Sequence, residues 1–370
     1  MIELACFIAA TIWVCLLLAP GSPWRIRERL DCTSPASSSE PLDHITVLIP
    51  ARNEAEHIKD TLHSLQQQGE NLHVILVDDQ SEDQTAEIAA NASMANLTIV
   101  AGQALPDGWA GKLWALQQGL EKVTTKYIVL LDADIQLEPG LLHTVANKSQ
   151  QENLDFVSLM VQLRMQSGWE KLLIPAFIYF FKLIYPFALS NNPNIKRFAA
   201  AAGGFIFTRT EVLQSIGAFS SLRNAIIDDC TLAKQVKNAN YKTWIGLTQS
   251  ASSLRRYETL SSIWNMVART AFTQLHYSTL LLLITTVLMF FVYWLPITAL
   301  ISGEAIAPAI IAINLMWVCY WPTIRYYHLS FLWCLTLPLS AVLFLLMTWA
   351  SAFRYWQGSR STWKGRVYLR

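Results

Sequence analysis

Four apolar stretches, at 2–20, 277–301, 305–321 and 331–353, leave this chain of 370 residues little choice of solvent. A run of about 20 apolar residues matches the hydrocarbon thickness of a bilayer. Composition agrees: 53% of residues are hydrophobic and only 15% charged, with a mean hydropathy of +0.30, too apolar for an ordinary soluble enzyme. The 14 Trp and 12 Tyr suit a membrane interface. A net charge of +1 supplies no field for a nucleic-acid partner. The six cysteines show no C-x-x-C spacing, and four lie in apolar runs, so they read as small hydrophobes and not as a disulfide or zinc framework. A membrane protein with one water-exposed domain is expected.

In chain order, 1–24 is the expected N-terminal transmembrane anchor. Its basic cluster, Trp24-Arg25-Ile26-Arg27-Glu28-Arg29, follows the apolar run, whereas a signal peptide carries its charge in front. The positive-inside rule then places the next segment in the cytoplasm, in a multi-pass protein of the cell inner (cytoplasmic) membrane. Residues 25–43 form a linker whose Ser- and Pro-rich part, 33–41, is a flexible tether. Residues 172–189, interrupted by Pro175, Lys182 and Pro186, are expected to lie in the interface plane, with Lys182 reaching the headgroups. A full span there would separate acidic clusters that a single site would need together. An amphipathic segment at 261–276 leads into a membrane region at 277–353 and a basic tail at 354–370. Three crossings would leave that tail outside, although it holds Arg354, Arg360, Lys364, Arg366 and Arg370, against the positive-inside rule. The middle stretch, shortest and bearing Pro308 and Pro322, is the expected half-span.

Between 44 and 260 the pattern changes. Apolar strands at 45–49, 72–77, 97–100 and 127–131 alternate with helical stretches at 54–68, 85–95 and 112–122. Such alternation makes βαβ units, so an α/β, Rossmann-like, mostly parallel sheet is expected. Ligands bind beyond the carboxyl ends of its strands, where three polar clusters fall: 50–54, Asp78-Asp79 and Asp132-Ala133-Asp134. Asp132 and Asp134, at i and i+2 of an extended segment, would point the same way. Together they could offer hard oxygens to a divalent cation, Mn2+ or Mg2+, that keeps waters and bridges to substrate phosphates; an acidic turn reads the same in isolation. The small residues at 199–205, Gly203 and Gly204 among them, either let backbone approach a ligand or pack a tight turn. Asp228-Asp229 opens a further helix, where capping alone would favour acids. A strand at 241–247 and a basic loop at 253–257 follow.

The ordered series Val47-Leu48-Ile49-Pro50-Ala51-Arg52-Asn53-Glu54, Val77-Asp78-Asp79-Gln80-Ser81-Glu82-Asp83-Gln84-Thr85, Asp132-Ala133-Asp134 and Asp228-Asp229 resembles the family 2 glycosyltransferases. These are GT-A-fold enzymes that use nucleotide-activated sugars. Longer runs, including Phe180-Phe181-Lys182-Leu183-Ile184-Tyr185-Pro186, Ala201-Ala202-Gly203-Gly204, the run Met266 to Leu275 and Trp363-Lys364-Gly365-Arg366-Val367-Tyr368, resemble the hopene-associated subgroup. The resemblance implies that Asp134 holds the metal, assisted by Asp132. It implies that Asp79 contacts the nucleoside base and that Pro50, Ala51, Arg52 and Glu54 cradle the nucleotide, although Arg52 alone would read as a surface charge. Lys112, Gly203 and Gly204 would line the nucleotide-sugar site; an exposed lysine at a helix start would look the same.

Asp229 matches the second acid of the family's x-E-D motif, the general base, with Asp228 in place of the usual Glu. In the family this arrangement goes with inversion. The Q-x-x-R-W motif of processive synthases is absent. Arg269, on the amphipathic segment, would reach a diphosphate or snorkel at the membrane surface. The expected activity is inverting transfer of one sugar from a nucleotide-diphosphate sugar, with a UDP-sugar as the expected donor. The expected acceptor is a lipid of hopanoid or polyprenyl type. The alternatives are a processive polysaccharide synthase and a non-catalytic nucleotide-sugar-binding scaffold.

Overall fold

A computed structural model describes residues 1–32, 41–223 and 228–358, with the backbone of 362–363 and 366–367. Most of the tether at 33–41, Ile226 and Ile227 before the acid pair, and the basic side chains of the tail beyond 358 lie outside the described residues.

Eight strands form one sheet: β1 (Ile45–Ala51), β2 (His73–Asp78), β3 (Leu97–Ala101), β4 (Tyr127–Leu131), β5 (Ile135–Leu137), β6 (Phe156–Gln162), β7 (Phe205–Arg209) and β8 (Thr243–Ser253). Their order is β3-β2-β1-β4-β7-β6-β8-β5. β5 and β7 run against the other six, so the sheet is mixed but mostly parallel, as its βαβ pattern implies. β1 and β4 are buried along their whole length, because apolar clusters cover both faces of the sheet; strands covered on both sides read as continuous apolar runs. The neighbours of β1 are β2 on one side and β4 on the other. Strand order therefore reverses at β1, and a crevice opens at the carboxyl ends there. The sequence alone predicts no strand at β5, β6 or β7, and ends β8 six residues early.

One helix is seated on this crevice by a glycine. The helix Gly111–Leu120 crosses β1 and β2 so closely that a Cβ at Gly119 would lie 2.2 Å from Leu48 Cδ1 and 2.8 Å from Val77 Cγ2. Its first turn carries Lys112 to the carboxyl edge of the sheet.

The apolar helices gather on one another beside this domain. Thr279–Ser302, Ile306–Tyr326 and Phe331–Trp356 are long and apolar enough to cross a membrane. Ile2–Leu18 has 17 residues, about 26 Å at 1.5 Å per residue, slightly under the roughly 30 Å of hydrocarbon. It packs in parallel with Ile306–Tyr326, Cys6 meeting Ala305 and Ala309. Pro296 has no N–H to give Val292 O, and the Trp13 indole supplies one at 3.1 Å.

Two expectations change here. Lys182, placed at the headgroups by its sequence context, is 1% exposed, and its ammonium donates to Arg25 O. The helix Gly168–Ile184 presents that face to protein, so the lysine caps a backbone turn. The middle apolar stretch is one unbroken helix of 21 residues. Pro308 falls in its first turn, where N–H groups have no intrahelical acceptor, and Pro322 near its end. The last stretch is the unusual one, since both its ends meet segments joined to the α/β domain. Before it, Gln249 Nε2 donates to Tyr326 O at 2.6 Å, and Leu329 packs against the apolar cluster that contains Ile245 and Leu247. Along it, Ser340 Oγ donates to Leu172 O at 3.0 Å. At its far end Arg354 donates to Asn265 Oδ1 at 2.7 Å and Tyr355 stacks on Tyr277 at 4.4 Å.

Candidate active site

β4 stops at Leu131, and the chain turns: Ile135 N donates back to Asp132 O at 3.2 Å. The extended geometry expected for Asp132-Ala133-Asp134 is therefore replaced by a turn, and the two carboxylates take different partners. Asp132 Oδ1 lies 2.6 Å from Lys112 Nζ. Asp134, 7% exposed, accepts from Ser253 Oγ at 2.7 Å and lies 3.5 Å from Arg255 Nε.

The first partner set is a compact charged cluster. Pro50, Lys112, Asp132, Gly203, Asp228 and Asp229 line one cavity over an apolar floor of Leu116, Leu130 and Phe219. Gly203 knits it together: its N–H donates to Asp229 Oδ2 at 2.9 Å, while its carbonyl accepts from Lys112 at 3.4 Å. Gly204 O accepts from Asp132 N at 3.2 Å. Asp228 and Asp229 begin the helix Asp228–Asn238, and Asp229 Oδ1 also accepts from Cys230 N at 2.7 Å. Burial works to lower Lys112, but Asp132, Asp228 and Asp229 override it and hold the ammonium charged far above the usual lysine range. Burial and then Asp228 push Asp229 up to about 6, against the pull of the Cys230 N–H, Lys112 and the Gly203 N–H. Burial also raises Asp132, with Lys112 opposing and Asp134 and Asp228 adding to the rise.

The second set joins Asp134 to the β1 loop. Arg255 Nη2 lies 3.0 Å from Glu54 Oε1, so one guanidinium bridges two buried acids. Sequence reasoning left Ser253 and Arg255 in a basic loop. β8 in fact runs on to Ser253 and pairs it with Ile135, returning Arg255 over the acidic turn; no local pattern signals that pairing.

Of the other expected residues, Asp79 is fully buried and its N–H donates to Ala51 O at 2.8 Å. Arg52 is no surface charge: it donates to Asp79 O and Gln80 O at 2.7 Å each and to Glu82 Oε1 at 3.0 Å. Its side chain shapes the loop after β2. Arg269 is exposed beyond the helix Leu260–Ala268. Among the described residues no ion pair joins it to the carboxylates, although burial raises Tyr257 and the charge of Arg269, after that of Arg255, opposes the rise.

Among the described residues no group of three His, Cys, Asp or Glu side chains is placed to hold a metal ion. The donor set still fits a hard cation of the kind bound by one or two carboxylates, waters and substrate phosphates. Burial raises Asp132 and Asp134 adds to that rise, so the two negative charges are within electrostatic reach of one another.

Residues 46–217 match the family model described as glycosyl transferase family 2. The chain carries a family 2 glycosyltransferase domain. Within the curated proteins, 108 residues are 36% identical to 4,4'-diaponeurosporenoate glycosyltransferase of Staphylococcus aureus, covering 29% of this chain and 28% of that one. The chain thus spans little more than a quarter of the curated relatives it matches. Among solved structures, the mannosyltransferase PcManGT from Pyrobaculum calidifontis, in complex with GDP-Man and Mn2+, aligns over 96% of this chain and 99% of its own, with a TM-score of 0.54 and 15% identity. The likeness extends a shared GT-A fold from the glycosyltransferase domain into the flanking helices.

Proposed function

We propose that the protein is an inverting glycosyltransferase of the cytoplasmic membrane, moving one sugar from a nucleotide-diphosphate sugar, a UDP-sugar in our reading, to a lipid of hopanoid or polyprenyl type. The observation that carries this reading is the cluster Lys112, Asp132, Asp228 and Asp229 at the carboxyl edge of a GT-A sheet. A diaponeurosporenoate-glycosylating relative and a neighbour bound to GDP-Man and Mn2+ support it, as do apolar helices beside the site.

The residues divide the work. The acceptor hydroxyl attacks the anomeric carbon, its proton passes to Asp229, and the bond from that carbon to the diphosphate oxygen breaks on the opposite face. Asp229 suits the base because it is poised at about 6, and a base works best with a pKa near the operating pH. The N–H groups of Gly203 and Cys230 fix its orientation. Lys112 supplies fixed positive charge where the leaving diphosphate gains negative charge. A divalent ion at Asp134 and Asp132 would add Lewis-acid stabilisation of that leaving group.

Two helices, Thr279–Ser302 and Ile306–Tyr326, are read as the C-terminal crossings. Phe331–Trp356 returns to the side of the catalytic domain, which leaves the basic tail cytoplasmic and satisfies the positive-inside rule. A processive synthase is disfavoured: among the described residues the helix bundle buries Trp13, Tyr179, Met316 and Tyr320 in one apolar cluster, where a polymer would need a polar passage. The deciding experiment is Asp229→Asn with mass spectrometry of membrane lipids. Loss of one hexose-sized addition with donor binding retained is expected. Retained transfer overturns the assignment of the base, and an unchanged lipid profile when the protein is deleted favours a scaffold.

A further inference from the structure

We propose that Arg255 is a resident counterion of the metal site. It competes with the divalent cation for Asp134 and passes to the donor's diphosphate, so that metal and nucleotide bind cooperatively. This rests on the metal and nucleotide reading above.

The geometry isolates one movable partner. Asp134 and Glu54 are each 7% exposed, and Asp134 is held in place by Ser253 Oγ at 2.7 Å. The Arg255 side chain is 36% exposed. Its guanidinium reaches Glu54 Oε1 at 3.0 Å and Asp134 Oδ2 at 3.5 Å and opens on a cavity lined by Asn53, Glu56, His57 and Arg256. The acids are fixed and the cation has room to swing.

Charge makes that swing necessary. A divalent ion on Asp134 would sit against the guanidinium, and like charges at such range repel strongly where water is scarce. In the protein alone, Arg255 therefore masks the ligand. A diphosphate offers the guanidinium a better partner, since its planar fork matches phosphate oxygens in a bidentate way. Moving to the diphosphate, Arg255 uncovers Asp134 for the ion. Linkage then requires that each ligand tighten the other by one factor.

The test is Mn2+ binding to the purified full-length protein in detergent, by titration calorimetry and electron paramagnetic resonance. Wild type, Arg255→Ala, Arg255→Gln and Arg255→Lys are compared without nucleotide, then with UDP and in parallel with GDP. Arg255→Ala and Arg255→Gln are expected to bind Mn2+ at least about fivefold more tightly than wild type without nucleotide, and to lose most of the enhancement by nucleotide, typical couplings being roughly 5- to 150-fold. Arg255→Lys should keep the weak nucleotide-free Mn2+ binding of wild type but a smaller enhancement by nucleotide, because an ammonium has no planar fork; tight nucleotide-free binding by this variant would overturn the charge competition. Unchanged or weaker Mn2+ binding by the nucleotide-free charge-removing variants overturns the competition. The same tightening must survive in Glu54→Gln/Arg255→Ala; its loss there would mean that Glu54, not Asp134, is the masked ligand, and the inference fails. Absence of Mn2+ binding in every form, nucleotide included, overturns the metal reading itself.

Discussion

Asp229 is where charge, backbone and chemistry meet. Its carboxyl stands at about 6, against an ordinary value of 3.8, with burial as the first cause and Asp228 the second. A base must be deprotonated to act, so kcat/KM, which reports the free enzyme, should rise with pH through about 6 and level off above it, falling roughly tenfold per unit on the acid side. A pH–rate profile with no inflection between 5 and 7 would count against Asp229. The sign for stability is the reverse. Between about 4 and 6 the unfolded chain has released a proton that the folded one retains. That contribution is complete below 4 and is lost as pH rises through 6, the window in which activity switches on. Lys112 permits a second test: Lys112→Ala leaves Asp132 and Asp228 without their cation and removes charge from the leaving group. A loss of about 10²–10³ in kcat is expected, together with a higher KM for the donor, both read in steady-state assays.

Elements decide how far such residues can be foreseen. The clusters at 50–54, 78–79 and 132–134 were legible because strand ends are local features and ligand crevices lie at their carboxyl ends. Arg255 was not, because its place depends on β8 pairing with β5 across more than a hundred residues. The turn at 132–134 was misread for a related reason: the extended geometry ends where β4 loses its neighbour. Lys182 was misplaced because an amphipathic pattern says which face is apolar, not whether protein or lipid covers it. The helix Gly111–Leu120 gives a packing test. Gly119→Ala would drive a methyl into Leu48 and Val77, and such overpacking costs about 1–3 kcal/mol. A lower Tm is expected, with weaker donor binding as the Lys112 turn lifts off.

A second element test concerns the helix Gly168–Ile184. Its fully buried Glu170 closes a capping box with Ser167 and also accepts from Tyr257 N at 3.0 Å. This helix is thereby tied to the segment that carries Arg255. Glu170→Ala should cost about 1–3 kcal/mol through its unpaired donors and speed hydrogen exchange at Tyr257. Exchange unchanged at that amide would show the tie to be idle.

For the whole molecule the sequence poses a conflict that the proposed topology answers. Three long apolar helices would, as three crossings, leave an external basic tail. Contacts at Tyr326, Ser340 and Arg354 hold both ends of Phe331–Trp356 beside the catalytic domain. Single-cysteine labelling with a membrane-impermeant reagent should therefore reach position 303 from outside and position 358 only from the cytoplasm. Labelling of 358 from outside would restore three crossings. In the sequence only the tail's charges, and not the hydropathy of the helices, bear on this topology, because hydropathy measures the length of a helix and not its direction.

On the proposed topology, a last helix that stays on its own side leaves the enzyme with a single doorstep. Under the proposed lipid acceptor, that substrate arrives by lateral diffusion and sugar arrives from solution. The product departs into the leaflet that supplied the acceptor. Any glycolipid destined for the opposite leaflet then needs a separate translocating step, in which a polar head is carried across hydrocarbon by another protein.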